Sequence, residues 1–155
     1  MFTRVLFPTD FSAPSMRAME YIAELKDAGT TEVVLVHVID QKDITQIAAG
    51  GAGFLGTVPD VETEVQQRLR EDIQSSIVDA RRKLEREGLA VHVRTPLGDP
   101  GKEIVKAADE ENASLIVVGS HGRSNLRDRL LGTVSEYVVK NAHQPVMVVK
   151  RKSPE

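Results

Sequence analysis

Short apolar runs alternate with helical patterns from one end of this 155-residue chain to the other. Such alternation is the signature of βαβ units, in which parallel strands are joined by helices that cover both faces of a sheet. We therefore predict an α/β fold with a single open, five-stranded parallel sheet. The strands are predicted at residues 4–8, 32–39, 90–95, 114–119 and 145–150.

The helices between these strands are marked by caps and stop signals. The first is expected to begin at Ser12 and end before Gly29, and the longest to run from about Pro59 to Gly88. Residues 41–57 are rich in glycine and small side chains, and we predict a flexible loop there. A chain of this length is expected to form one domain, here residues 1–155.

Composition excludes several classes of protein. A net charge of -3 argues against a general nucleic-acid binder, and the absence of cysteine excludes disulfides and thiolate chemistry. No apolar run approaches the eighteen or so residues of a membrane span, and the first residues lack the pattern of a signal peptide. We therefore expect a cytoplasmic protein with no membrane or nucleic-acid partner.

A group of glycines follows the predicted buried strand that ends at Val118. Nine residues separate Gly122, the second of the two glycines Gly119 and Gly122, from Gly132, which Thr133 follows. We predict a capping box over residues 133–136, with the Thr133 hydroxyl as the cap, which places Gly132 at a helix N-terminus. Helix N-termini attract anions, and glycine lets a phosphate approach the backbone closely.

Further residues fit a phosphate site at this position. Three arginines, Arg123, Arg127 and Arg129, lie between the second and third glycines and offer hydrogen bonds to phosphate oxygens. Each glycine taken singly also fits an ordinary turn. The spacing of the whole group is what favours a phosphate cradle.

Two other strand ends should meet this glycine loop. In open parallel sheets, ligands bind beyond the carboxyl ends of the strands, where the strand order reverses. Asp10, after the first strand, is placed either to bind ribose hydroxyls or to cap a turn or helix. The main chain at Val38 is placed either to bind an adenine edge or simply to end a buried strand.

These segments together resemble the ATP-binding branch of the universal stress protein family. The resemblance covers essentially the whole chain and rests on residues 6–12 (LFPTDFS), residues 35–40 (LVHVID) and the complete Gly-x2-Gly-x9-Gly-Thr pattern. It implies a Rossmann-like adenine-nucleotide-binding fold with strand order 3-2-1-4-5. It also implies ATP as the ligand, with Mg²⁺ or Mn²⁺ held through the phosphates and no metal site of the protein's own.

The same resemblance implies a set of binding residues. Asp10 would bind the ribose and Val38 the adenine, while the glycine loop and the start of the last helix would hold the phosphates. The predicted site consists of Pro8, Thr9, Asp10, Val38, Val118, Gly119, His121, Gly122, Arg123, Gly132, Thr133, Val134 and Ser135. No residue is assigned a catalytic role.

The resemblance further implies a homodimer formed through the last strand. Residues 145–149 are continuously apolar, yet they fall at an edge of the predicted sheet, where an uncovered strand invites aggregation. We expect a dimeric, nucleotide-dependent sensor or switch in a stress response, acting on a downstream protein.

Three alternatives remain open from the sequence. The first is a slow ATPase or phosphotransferase, in which His121 acts as a general acid or base. The second is an interaction module that works without a nucleotide. The third is a flavodoxin-like FMN protein, although two Tyr, four Phe and no Trp offer few rings to enclose a flavin.

Overall fold

The computed structural model describes residues 1–52, 59–121 and 131–150 of the chain. Their strands, in chain order, are β1 (Arg4–Pro8), β2 (Glu32–Val36), β3 (Ile39–Asp40), β4 (Ala90–Arg94), β5 (Leu97–Gly98), β6 (Leu115–Gly119) and β7 (Val146–Val149). Five of them form one sheet in the order β4-β2-β1-β6-β7, and every pairing is parallel. The predicted α/β class and the order 3-2-1-4-5 are therefore confirmed.

The predicted strand over residues 32–39 is wrong beyond Val36. The main chain leaves the large sheet there and resumes as β3, which pairs in parallel with β5 in a separate two-stranded sheet. Two-residue strands carry no alternation that a sequence pattern could reveal. The break places Val38 between the two sheets, beside the end of β1.

The helices are α1 (Ala13–Glu24), α2 (Gln41–Ala52), α3 (Pro59–Arg86), α4 (Pro100–Glu110) and α5 (Thr133–Asn141). Ser12 caps α1 by accepting a hydrogen bond from the Ser15 amide, as its position before Pro14 predicts. Gly29 and Gly88 follow helical segments with φ of 99° and 87°, the left-handed conformation that ends a helix.

The prediction of a loop over residues 41–57 is wrong for Gln41–Ala52, which form α2. The Asp40 carboxylate accepts a hydrogen bond from the Lys42 amide at the start of this helix. Ile44 and Ala48, one helical turn apart, are both buried. This tertiary packing outweighs the low helix propensity of the glycines, on which the prediction of a loop depended. Residues 53–57 lie outside the described part.

The core consists of two apolar layers, one on each face of the sheet. Side chains alternate between the faces along a strand, so Val5 and Phe7 of β1 point to one layer and Leu6 to the other. The first layer includes α1 and α3, and the second includes α4 and α5. In the ranges that the structure describes, no helix is long and apolar enough to cross a membrane.

Candidate functional site

A cleft of about 520 Å³ opens at the carboxyl ends of the strands. It lies beyond the end of β1, whose neighbours in the sheet are β2 on one side and β6 on the other. The strand order reverses at this point. Its volume falls within the range of about 300–1,000 Å³ found for small-molecule sites. The sheet topology therefore creates a ligand-sized cavity at the position predicted from the sequence.

Every predicted site residue within the described ranges lines this one cleft. They are Pro8, Thr9, Asp10, Val38, Val118, Gly119, His121, Gly132, Thr133, Val134 and Ser135. Gly122 and Arg123, together with Arg127 and Arg129, lie outside the residues that the structure describes.

The end of β1 forms one lip of the cleft. Thr9 is buried, and its hydroxyl oxygen accepts hydrogen bonds from the Phe11 amide at 3.0 Å and from the Ser15 hydroxyl. Asp10 lies in the lining, and its Oδ1 accepts a hydrogen bond from the Ser12 amide at 2.9 Å. The carboxylate therefore organises the turn into α1 while facing the cleft, so the two roles considered for Asp10 are compatible.

The main chain of Val38 faces the cleft because of strand alternation. The amides of His37 and Ile39 donate to the carbonyl oxygens of Arg94 and Pro96, on the side of β4 and β5. The intervening residue must direct its amide and carbonyl to the opposite side, past the end of β1. Within the described part of the chain, these two groups of Val38 have no hydrogen-bond partner.

The start of α5 forms the other end of the cleft. The predicted capping box is wrong, because the cap residue is Gly132 and Thr133 is the first helical residue. Gly132 has φ of -69° and ψ of 163°, an extended conformation, and it offers no side chain to the first-turn N–H groups. The helices α1 and α4, which also begin at this edge, are capped by the side chains of Ser12 and Asp99.

Gly119 ends β6 in a crowded position. A Cβ atom there would lie 3.2 Å from the carbonyl carbon of Pro14 and 3.3 Å from the Ser15 amide nitrogen, both backbone atoms of α1. The Gly119 carbonyl accepts a hydrogen bond from the buried Ser135 hydroxyl at 2.6 Å. This glycine thus has a packing role, and the hydrogen bond ties β6 to the first turn of α5.

His121 follows β6 and lines the cleft beside α5. Its Nδ1 lies 3.1 Å from the hydroxyl of buried Ser120, whose amide donates to the Val149 carbonyl oxygen. The imidazole is therefore anchored to the end of the sheet and oriented at the cleft.

The wall of the cleft opposite the sheet was not predicted from the sequence. It includes Leu69, Asp72, Ile73 and Ser76, which share one face of α3, together with Asp43 of α2. Leu69 and Ile73 are its apolar members. The signal that could have identified them is the length of the helix, which exceeds that of any strand beneath it.

Charge divides the cleft into two chemically different ends. Four carboxylates line it, Asp10, Asp40, Asp43 and Asp72, and none of its described lining residues is Lys or Arg. The start of α5 instead presents main-chain N–H groups and the positive end of a helix dipole. Among residues 1–52, 59–121 and 131–150, no group of three or more His, Asp or Glu side chains could hold a metal ion.

The parallel sheet and the cleft at its switch point define a doubly wound α/β protein with a ligand-sized cavity. Comparison with known proteins identifies the group more closely. The chain belongs to the universal stress protein family, whose family model matches residues 1–150.

Individual relatives agree along nearly the full length of the chain. Universal stress protein MJ0577 of Methanocaldococcus jannaschii is 37% identical over 99% of this chain and 98% of its own. A solved structure of MJ0577 superposes with a TM-score of 0.88 over 99% of both chains, at 35% identity.

Two more distant structures share the fold. One is a universal stress protein in complex with cAMP, with a TM-score of 0.67 and 22% identity over 96% of this chain and 97% of the other. The second is the universal stress protein from Archaeoglobus fulgidus in complex with dAMP, with a TM-score of 0.59 and 22% identity over 97% and 98%. Nucleotide complexes therefore occur among proteins of this fold.

Proposed function

We propose that this protein binds ATP in the cleft and acts as a nucleotide-dependent switch. The observation that carries the proposal is that one cleft holds, at its two ends, a helix N-terminus without a side-chain cap and a residue between two strands, Val38, whose main chain faces the cavity. The first is suited to phosphate and the second to the edge of a base.

The phosphate end is formed by residues 132–135. Of the helices that begin beside the cleft, α1 and α4 have side-chain caps, whereas α5 begins at a glycine. A phosphate oxygen would accept the hydrogen bonds that a cap side chain accepts elsewhere, and it would lie at the positive end of the dipole. Gly122 and Arg123, which the sequence predicts for the same site, lie outside the described residues.

The base end is formed by Val38. Adenine presents a ring-nitrogen acceptor next to an exocyclic amine donor, which matches the amide and carbonyl of one strand residue. Asp10, on the adjacent lip, would accept hydrogen bonds from the ribose hydroxyls. The cAMP and dAMP complexes of proteins with this fold make adenine nucleotides the first ligands to test.

We also propose that Mg²⁺ or Mn²⁺ enters with the nucleotide. The described lining contains four carboxylates and no Lys or Arg, so no described basic side chain would neutralise the charge of a bare triphosphate. A divalent cation bound to the phosphates would neutralise part of that charge.

A homodimer through β7 is part of the proposal. This strand lies at an edge of the sheet, its sequence is VMVV, and three of its four residues are only partly buried. Pairing with β7 of a second copy would satisfy the edge and cover these side chains. Sedimentation should give twice the mass of the chain at micromolar concentration, and a monomer mass would contradict this assembly.

Titration calorimetry with Mg-ATP tests the main proposal, with Mg-GTP and FMN as controls. We expect saturable ATP binding near a micromolar Kd, about -8 kcal/mol, and weaker binding of the controls. Absence of ATP binding by folded, nucleotide-free protein would overturn the proposal in favour of an interaction module.

Gly132→Val tests whether the start of α5 binds the phosphates. The extended backbone of Gly132 suits a β-branched residue, so the protein should still fold, while the new side chain would obstruct the phosphates. We expect at least a tenfold loss of ATP affinity with little change in melting temperature. Unchanged affinity would remove the start of α5 from the site.

A further inference from the structure

One histidine connects the ends of β1 and β2. The Nδ1–H group of His37 donates to the carbonyl oxygen of Thr9 at 2.9 Å, and the imidazole stacks on the ring of Phe11 with 5.3 Å between centroids and 27° between planes. The main chain of His37 is held separately, by its hydrogen bond to the Arg94 carbonyl. The Thr9 amide donates to the Val36 carbonyl oxygen at 2.9 Å, so the side chain of His37 adds a second link between these two strand ends.

The residue on which His37 stacks has an unusual backbone. Phe11 has φ of 60°, the left-handed region that bulky residues seldom adopt. Its amide donates to the Thr9 hydroxyl at 3.0 Å, and the next amide, that of Ser12, donates to the Asp10 carboxylate. Strained backbone of this kind persists where its surroundings enforce it, and it is concentrated at functional sites.

The residues that follow Thr9 and His37 in the chain explain what the hydrogen bond between them does. Thr9 directly precedes Asp10, and His37 directly precedes Val38, while Asp10 and Val38 line the same cleft. The main-chain bond from Thr9 to Val36 and the side-chain bond from His37 to Thr9 therefore together fix the separation between the two groups that we assigned to the ribose and the base. The stack on Phe11 maintains the turn that presents Asp10.

We propose that His37 is a positioning residue for the adenosine half of the nucleotide. This inference rests on the proposed function, because it presupposes that Asp10 and Val38 contact adenosine. His37 itself lines the cleft, and its proposed action is through the geometry of these two residues. The phosphate end, on β6 and α5, lies outside its influence.

Three substitutions separate the two contacts of His37. His37→Ala removes both the hydrogen bond and the stack. His37→Asn retains an N–H donor close to the position of Nδ1 without an aromatic ring, and His37→Phe retains the ring without the donor. His92→Ala is the matched control, since His92 is exposed on the edge strand β4.

The variants are compared by competition against a fluorescent ATP analogue, with Mg-ATP, AMP and inorganic tripolyphosphate as competitors. His37→Ala should lower the affinity for ATP and for AMP by about tenfold. This is the effect of about one lost hydrogen bond together with the looser turn. Tripolyphosphate affinity should stay within twofold, and His37→Asn and His37→Phe should each recover part of the AMP affinity. His92→Ala should match the wild-type protein.

Three other outcomes would overturn the positioning role of His37. Unchanged AMP affinity in His37→Ala would exclude a positioning role, and an equal loss for tripolyphosphate would mean a general loss of structure. Failure of both His37→Asn and His37→Phe to recover affinity would exclude the two contacts as the cause. If the wild-type protein itself binds no ATP, the proposed function fails; if it binds ATP normally and only these variants disagree, the role of His37 alone fails.

Discussion

Replacing Gly101 by alanine tests how closely α4 packs against α5. Gly101 is buried in the first turn of α4, and a Cβ atom there would lie 2.7 Å from Cδ1, 2.8 Å from Cγ and 3.1 Å from Cβ of Tyr137 in α5. Carbon atoms in contact prefer a separation of about 3.5–4.0 Å. Because Cβ and Cγ are the root of the tyrosine side chain, relief requires a new rotamer or a shift of α5.

The expected cost follows from two opposing effects. Overpacking of this kind costs about 1–3 kcal/mol, whereas replacing glycine by alanine in a helix gains at most about 1 kcal/mol, and less in the first turn. We expect Gly101→Ala to lower the free energy of unfolding by about 1–2 kcal/mol. At about 2–4 °C per kcal/mol for a chain of this size, the melting temperature should fall by roughly 2–8 °C.

Differential scanning calorimetry measures this change, and Gly50→Ala supplies a control of opposite sign. Gly50 lies in α2 with nothing within 4 Å of its would-be Cβ atom, so its substitution should stabilise the protein by up to about 1 kcal/mol. In a Tyr137→Ala background, the cost of Gly101→Ala should disappear. A neutral Gly101→Ala variant, or a cost that persists without the Tyr137 ring, would refute the reasoning.

Two further predictions concern the cleft wall and the response to acid. Ile77→Ala should cost about 2–5 kcal/mol in urea unfolding because Ile77 is 5% exposed, whereas Ile73→Ala should cost less than half as much but weaken ATP binding; the reverse order would contradict their placement. The hydrogen bond from the Gln144 side chain lowers the pKa of Asp109, so its stabilising effect is complete above the unfolded-state pKa and is lost as the pH falls through the folded-state value. Asp109→Asn should therefore lose less stability than the wild-type protein as the pH is lowered from about 5 through the range in which Asp109 becomes protonated, and parallel stability curves would contradict this assignment.

The large sheet was predictable because each of its strands carries a clear local signal. The first strand was predicted with its observed bounds, and glycines marked the ends of the helical segments. The second strand was predicted three residues too long, because Val38 and Ile39 continue its apolar run while the main chain changes partners. This change of pairing partner depends on tertiary contacts, which leave no signal in the amino-acid composition.

The site was predictable at its strand ends and less so where helices complete it. The glycine spacing located the start of α5. The predicted cap was Thr133 and the observed cap is Gly132, one position earlier, and only the backbone angles decide between the two residues. Such one-residue differences matter, because a glycine cap leaves the first-turn N–H groups to a ligand whereas a threonine cap occupies one of them.

The wall of the cleft could have been predicted from lengths alone. A helix of 28 residues is about 42 Å long, whereas a five-residue strand spans about 17 Å, so α3 must extend well beyond the sheet. Because α3 leads directly into β4, its last turns lie at the amino ends of the parallel strands, and the excess projects past their carboxyl ends. Buried Ile77, Ala80 and Leu84 cover the sheet, while Leu69 and Ile73 continue the same stripe into open space above the ligand cleft. An apolar stripe longer than its sheet is therefore itself a sequence signal for a ligand wall.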